Sequence, residues 1–68
     1  MSPAEQARVI RQGIDAARVQ GNAATAATPR YALGDPRNQL YRTAALVKLD
    51  HADWTELRIA RRVAELVK

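Results

Sequence analysis

The sequence predicts an all-α fold: three short helices, with one long connection between the first and second, packed as a small bundle or as an intertwined homodimer. Three observations carry this. Two segments open with a capping residue followed directly by proline, Ser2-Pro3 and Asp35-Pro36. Apolar residues recur at three- and four-residue spacing in three separate stretches. A further start signal, Asp53-Trp54-Thr55-Glu56, follows the second stretch. The helices are expected over about 3–20, 36–48 and 53–67, and 68 residues make a single domain, 1–68.

In the first helix Ser2 caps, Pro3 suits the first helical position, and Glu5, three residues after the serine, completes a capping box. Ala7, Ile10, Ile14 and Ala17 form one stripe with Gly13 beside it, so a second helix can approach closely. Gly21-Asn22 ends the run as a left-handed C-cap. Residues 22–34 have no helical period, and Pro29 favours extended or turn backbone before it.

Asp35-Pro36 starts the second helix, and Leu40, Ala44 and Val47 form its stripe. Leu46 and Leu49 point elsewhere and Tyr41 lies on a third side, so this helix is apolar nearly all round toward its end. That suits a central helix or one shared between subunits. Asp50 or Asp53 is expected to cap the third helix. There Ile59, Ala60, Val63 and Val67 share one side, Leu57 and Leu66 flank it, and Arg58, Arg61, Arg62, Glu65 and Lys68 take the other.

The core implied by this pattern is poor in bulk. Of 47% hydrophobic residues many are alanine, phenylalanine is absent, and Trp54, Tyr31 and Tyr41 are the aromatic residues. A chain this short usually compensates with disulfides, a metal or association, and zero cysteines remove the first route and the commonest zinc sites. Association remains, and a homodimer or a partner-completed monomer is expected. The absent cysteines and the lack of an apolar run near the roughly 18 residues of a membrane span fit a cytoplasmic protein with no membrane partner. The N-terminus also lacks the basic-then-apolar order of a signal peptide.

Little in the sequence builds a catalytic site, and neither an enzyme nor a cofactor is expected. His51 is the one histidine, and in Asp50-His51-x-Asp53 the aspartates are better explained as caps and dipole partners than as metal ligands. No glycine-rich phosphate loop is present. The net charge of +4, from eleven basic and seven acidic residues, allows attraction to nucleic acid or to an acidic protein surface. On the first helix Arg8, Arg11 and Arg18 share an arc with Asp15 among them, which reads as a solvated face with an Arg11–Asp15 pair. On the third, Trp54 beside Arg58 and Arg61 has the composition of a base-stacking or interface anchor. A core without phenylalanine favours the other reading, in which Trp54 folds over the loop and closes the core.

Arg30, Arg37 and Arg42 with Tyr31 and Tyr41 combine cations and aromatic faces, as RNA sites and protein interfaces both do. Gly34, Asp35 and Pro36 are explained as turn and helix start, whereas Pro29-Arg30-Tyr31 is either a hinge or a recognition element. Gly13, Ala16-Ala17, Gly21, Pro29-Arg30-Tyr31, Arg37 and Tyr41, in that order over the first two thirds of the chain, resemble the ribosome modulation factor-like small proteins. The resemblance implies ribosomal RNA binding, with Arg30, Tyr31, Arg37 and Tyr41 as contacts. The chain departs from that pattern in the arginine between proline and tyrosine, in lacking tryptophan in the second helix, and in having a third helix.

The leading expectation is a non-catalytic helical interaction protein, an accessory or phage-type regulator that docks on a larger protein, with Tyr41, Leu46, Leu49 and Trp54 as its apolar contacts. The alternative is a basic RNA-, DNA- or ribosome-binding protein that uses Arg30, Tyr31, Arg37, Arg42, Arg58, Arg61 and Arg62. A helix-turn-helix reading through Arg58, Arg61 and Arg62 is weakened by the glycine-free turn Leu49-Asp50-His51-Ala52.

Overall fold

A computed structural model describes residues 1–21 and 30–67. Three helices, α1 (Pro3–Gln20), α2 (Pro36–Asp50) and α3 (Glu56–Leu66), form an all-α bundle, and no strand occurs among the described residues. Residues 22–29, including Pro29 and most of the expected long connection, lie outside the described residues.

The first helix starts and stops where its sequence signals place it. The Ser2 hydroxyl accepts from the Glu5 amide at 3.2 Å, and Gly21, at φ 71°, donates its amide to the Ala17 carbonyl. Asp35 caps α2 by accepting from the Arg37 amide at 2.9 Å, with Pro36 at the first helical position. Gly34 turns the chain into that cap at φ 87°.

Three boundaries differ from expectation, the slightest being that α3 ends at Leu66 with Val67 as its C-cap instead of running through 67. α2 runs to Asp50 instead of Lys48, because Leu49 packs against the buried pair Ala17 and Ala45 and holds the last turn in place. α3 starts at Glu56, and Thr55 caps it in place of Asp50 or Asp53, with the Thr55 hydroxyl accepting from the Arg58 amide at 3.2 Å. Asp50 is still helical, and Asp53 is taken up in a turn in which the Trp54 amide bonds the His51 carbonyl at 3.0 Å.

The principal contact is between α1 and α2, and α3 lies across both. Small residues set the α1–α2 distance. A Cβ on Gly13 would meet the Tyr41 carbonyl oxygen, lie 2.9 Å from the Ala44 Cβ and 3.2 Å from the Ala45 nitrogen. Ala17, Ala44 and Ala45 are buried at the same seam. Val9, Ile10, Ile14, Leu40, Tyr41, Ala44, Val47, Ile59 and Val63 make up the main core. On α1, Ile10, Ile14 and Ala17 are buried as expected, but Ala7 at the stripe's edge is exposed and Val9 is buried instead, so the stripe is rotated toward the larger side chain. The α3 face is as expected, with Ile59 and Val63 inside and Leu57 and Leu66 largely exposed at its edges.

Candidate functional site

The loop before α2 is held by one side chain that the sequence patterns do not single out. Asn38, in the first turn of α2, accepts through Oδ1 from the amides of Arg30 at 3.2 Å and Tyr31 at 2.7 Å. Its Nδ2 donates to the carbonyls of Tyr31 and Ala32, both at 2.9 Å. Tyr31 is half-buried against the core, and its hydroxyl donates to Gln12 Oε1 on α1. Nothing in local sequence tells an asparagine in a helix's first turn from a solvated one, so this clamp is invisible before the fold is known.

Arg37 extends the same brace. Its guanidinium grips Asp35, with Nη2 2.6 Å and Nε 3.0 Å from Oδ2, lies 3.6 Å from Glu5 of α1, and sits 4.5 Å over the Tyr31 ring. The hydrogen bonds from Arg37 hold the Asp35 carboxyl below its ordinary range and keep the Arg37 guanidinium more firmly protonated. Of the residues assigned to nucleic acid, Arg37 is therefore engaged inside the protein and Tyr31 is covered by it.

At the α2–α3 corner the imidazole of His51 stacks on Trp54 with ring centroids 3.6 Å apart and an interplanar angle of 7°. The Arg58 guanidinium lies 4.3 Å from the centre of the same indole. Trp54 is half-buried and packs against the core. The ring nominated as a stacking platform or partner anchor is thus stacked by the protein's own side chains. Among the described residues no group of His, Cys, Asp or Glu side chains is placed to hold a metal ion.

The remaining nominated residues separate by element. Arg30 is exposed beside the clamp. Arg58, Arg61 and Arg62 lie exposed on α3, with Arg62 3.1 Å from Glu65. On α1, Arg11 reaches across to Glu56 of α3 at 2.8 Å, while Asp15 pairs with Arg18 at 3.7 Å, so the expected Arg11–Asp15 pair is replaced. Glu56 can outcompete Asp15 because it accepts a direct hydrogen bond, which raises the Arg11 pKa.

The apolar set divides differently. Tyr41, expected to face a partner, is 6% exposed, because α1 passes directly over its backbone at Gly13. Leu49 is half-buried on the small-residue seam. Leu46 is 40% exposed, and it lines an open groove of about 560 Å³ with Leu33, Pro36, Gln39, Arg42 and Thr43. Leu33, which no sequence pattern singled out, is 99% exposed at the groove's edge. Leu33 follows the clamped Tyr31 and precedes the left-handed Gly34, and that turn carries its side chain outward.

The result is one solvent-facing surface where two leucines, a proline and an arginine adjoin. Arg42 forms no ion pair among the described residues. Compared with protein-family models, with curated proteins and with solved structures, the chain matches none.

Proposed function

We propose that this protein is a non-catalytic helical interaction module, an accessory regulator that acts by docking on a protein partner through the outer face of α2. The observation that carries the reading is the full exposure of Leu33 beside the partly exposed Leu46 in one open groove. A short chain with so few large side chains gains more by burying a leucine than by solvating it, so an exposed pair around a groove favours a surface that is covered in use. The groove faces solvent, which suits side chains from a protein partner better than an enclosed small molecule.

The basic alternative draws less support from the same geometry. A single-stranded RNA site needs aromatic faces and guanidinium groups free to meet bases and phosphates. Here Tyr31 lies under Arg37, Trp54 is stacked by His51 and Arg58, and Tyr41 is buried. Those positions include three of the four contacts implied by the resemblance to ribosome modulation factor-like proteins.

The test is affinity capture from a lysate of the source organism, with and without nuclease, at low and moderate salt. The expected result is a discrete protein retained after nuclease by the wild type and lost with Leu33→Glu or Leu46→Glu. Recovery that vanishes with nuclease and falls steeply with salt, and is unchanged by those two substitutions, would replace this reading with nucleic-acid binding.

A further inference from the structure

The outer face of α2 is complementary to itself. On a helical wheel Leu46 lies at its centre, Arg42 and Asp50 lie about 40° to either side, and Gln39, Thr43 and Leu49 complete an arc of about 120°. All six are exposed or half-exposed. Arg42 stands four residues before Leu46 and Asp50 four residues after it, so each charge is displaced about 6 Å along the axis from the leucine, in opposite directions.

Within one chain these charges are about 12 Å apart along the helix and cannot pair. Neither takes part in an ion pair among the described residues. Asp50 also occupies the last turn of α2, where a carboxylate opposes the helix dipole, so its placement is unfavourable for the helix by itself. Two copies of α2 packed antiparallel about Leu46 change this. Arg42 of each copy then comes level with Asp50 of the other, twice over, with leucine against leucine at the twofold axis.

We infer that a second copy of this chain packs on the outer face of α2 from Arg42 to Asp50, beside the groove, forming a twofold antiparallel α2–α2 dimer closed by reciprocal Arg42–Asp50 pairs. This rests on the reading of that face as a protein-docking surface and names its occupant. One short helix face buries less than a standard interface, so the association is expected in the micromolar range.

The experiment is analytical ultracentrifugation of the full chain across a concentration series, with wild type, Arg42→Asp, Asp50→Arg, an equimolar mixture of those two, and the double variant. Circular dichroism verifies helix content for each, and Arg42→Glu with Asp50→Lys serves as a second pair should either variant lose helix. Wild type is expected to dimerise and each single reversal to weaken dimerisation by about tenfold or more, since like charges then face each other. The mixture and the double variant are both expected to recover the dimer, because opposite charges again meet at both contacts. Rescue by mixing cannot arise from an effect within one chain.

A wild type that stays monomeric to several hundred micromolar, single variants that dimerise like wild type, or a mixture that fails to recover would each overturn the inference. If it is overturned while affinity capture still depends on Leu46, the docking surface stands with another occupant. Failure of both measurements removes the surface itself.

Discussion

Gly13 lies where α1 crosses α2, and a methyl group there would run into the Tyr41 carbonyl and press on Ala44. In an exposed helix the change from glycine to alanine stabilises by about 1 kcal/mol. Here the obstacle is backbone, which cannot rotate away, so Gly13→Ala is expected to destabilise by about 1–3 kcal/mol, read as a lower denaturant midpoint. An unchanged or raised midpoint would show that the helices can separate at no cost. The sequence exposed this residue as part of a small-residue stripe, but the atom it has to clear belongs to a partner 28 positions away. Asp35 offers a second check. Its carboxyl is held below the usual range by Arg37, so the stability it lends is present above the unfolded-state value and disappears as pH falls through the lower folded-state value. Asp35→Ala should therefore lower stability near neutral pH and reduce its decline on acidification below about pH 4, measured by thermal melts across an acid series. A variant whose acid decline matches wild type would remove Asp35 from that linkage.

The elements were legible to the extent that their signals are local. Ser2-Pro3 and Asp35-Pro36 are complete within four residues, and both side-chain caps form as read, although the Glu5 carboxylate turns to Arg37 and the reciprocal half of the expected capping box does not occur among the described residues. The third start was harder, because Asp50, Asp53 and Thr55 all belong to types that cap, and the choice among them is made by the His51–Trp54 turn. Thr55→Ala should cost about 1 kcal/mol, whereas Asp53→Ala should be close to neutral. The reverse order in a denaturation series would return the cap to Asp53. In the loop before α2 the backbone hydrogen bonds converge on one side chain, while Gln12 and Arg37 hold the Tyr31 side chain. Asn38→Ala removes both acceptor and both donor contacts to residues 30–32, and a loss of about 1–3 kcal/mol is expected. Faster amide exchange at Tyr31 would accompany it, and unchanged protection there would show that the Tyr31 ring, and not Asn38, holds the loop. No spacing rule could have found this clamp, because its acceptors and donors are backbone groups outside any regular element.

At the scale of the molecule, α3 contributes few buried side chains, and Ile59 and Val63 are among the most enclosed in the chain. Ile59→Ala is expected to cost about 2–5 kcal/mol, a large share of the stability of a domain this size, and to abolish cooperative melting at moderate temperature. A cooperative transition within a few degrees of wild type would mean that α3 is dispensable to the core. The apolar surplus on α2 was visible in the sequence, but its division was not. Helical angle places Tyr41, Leu46 and Leu49 on different sides without saying which side α1 covers. Gly13 decides that, burying Tyr41 and leaving Leu46 outside. Leu33 was unreadable for a related reason, since its exposure follows from a turn and not from a period. The chain's one tryptophan and one histidine are placed face to face at the corner joining α2 to α3. Their stacking gives the molecule an intrinsic optical probe: emission from a single indole, in face-to-face contact with its imidazole neighbour, is expected to report whether that corner is closed. Refolding, ligand contact and separation of α3 can thus be followed in real time without attaching a dye.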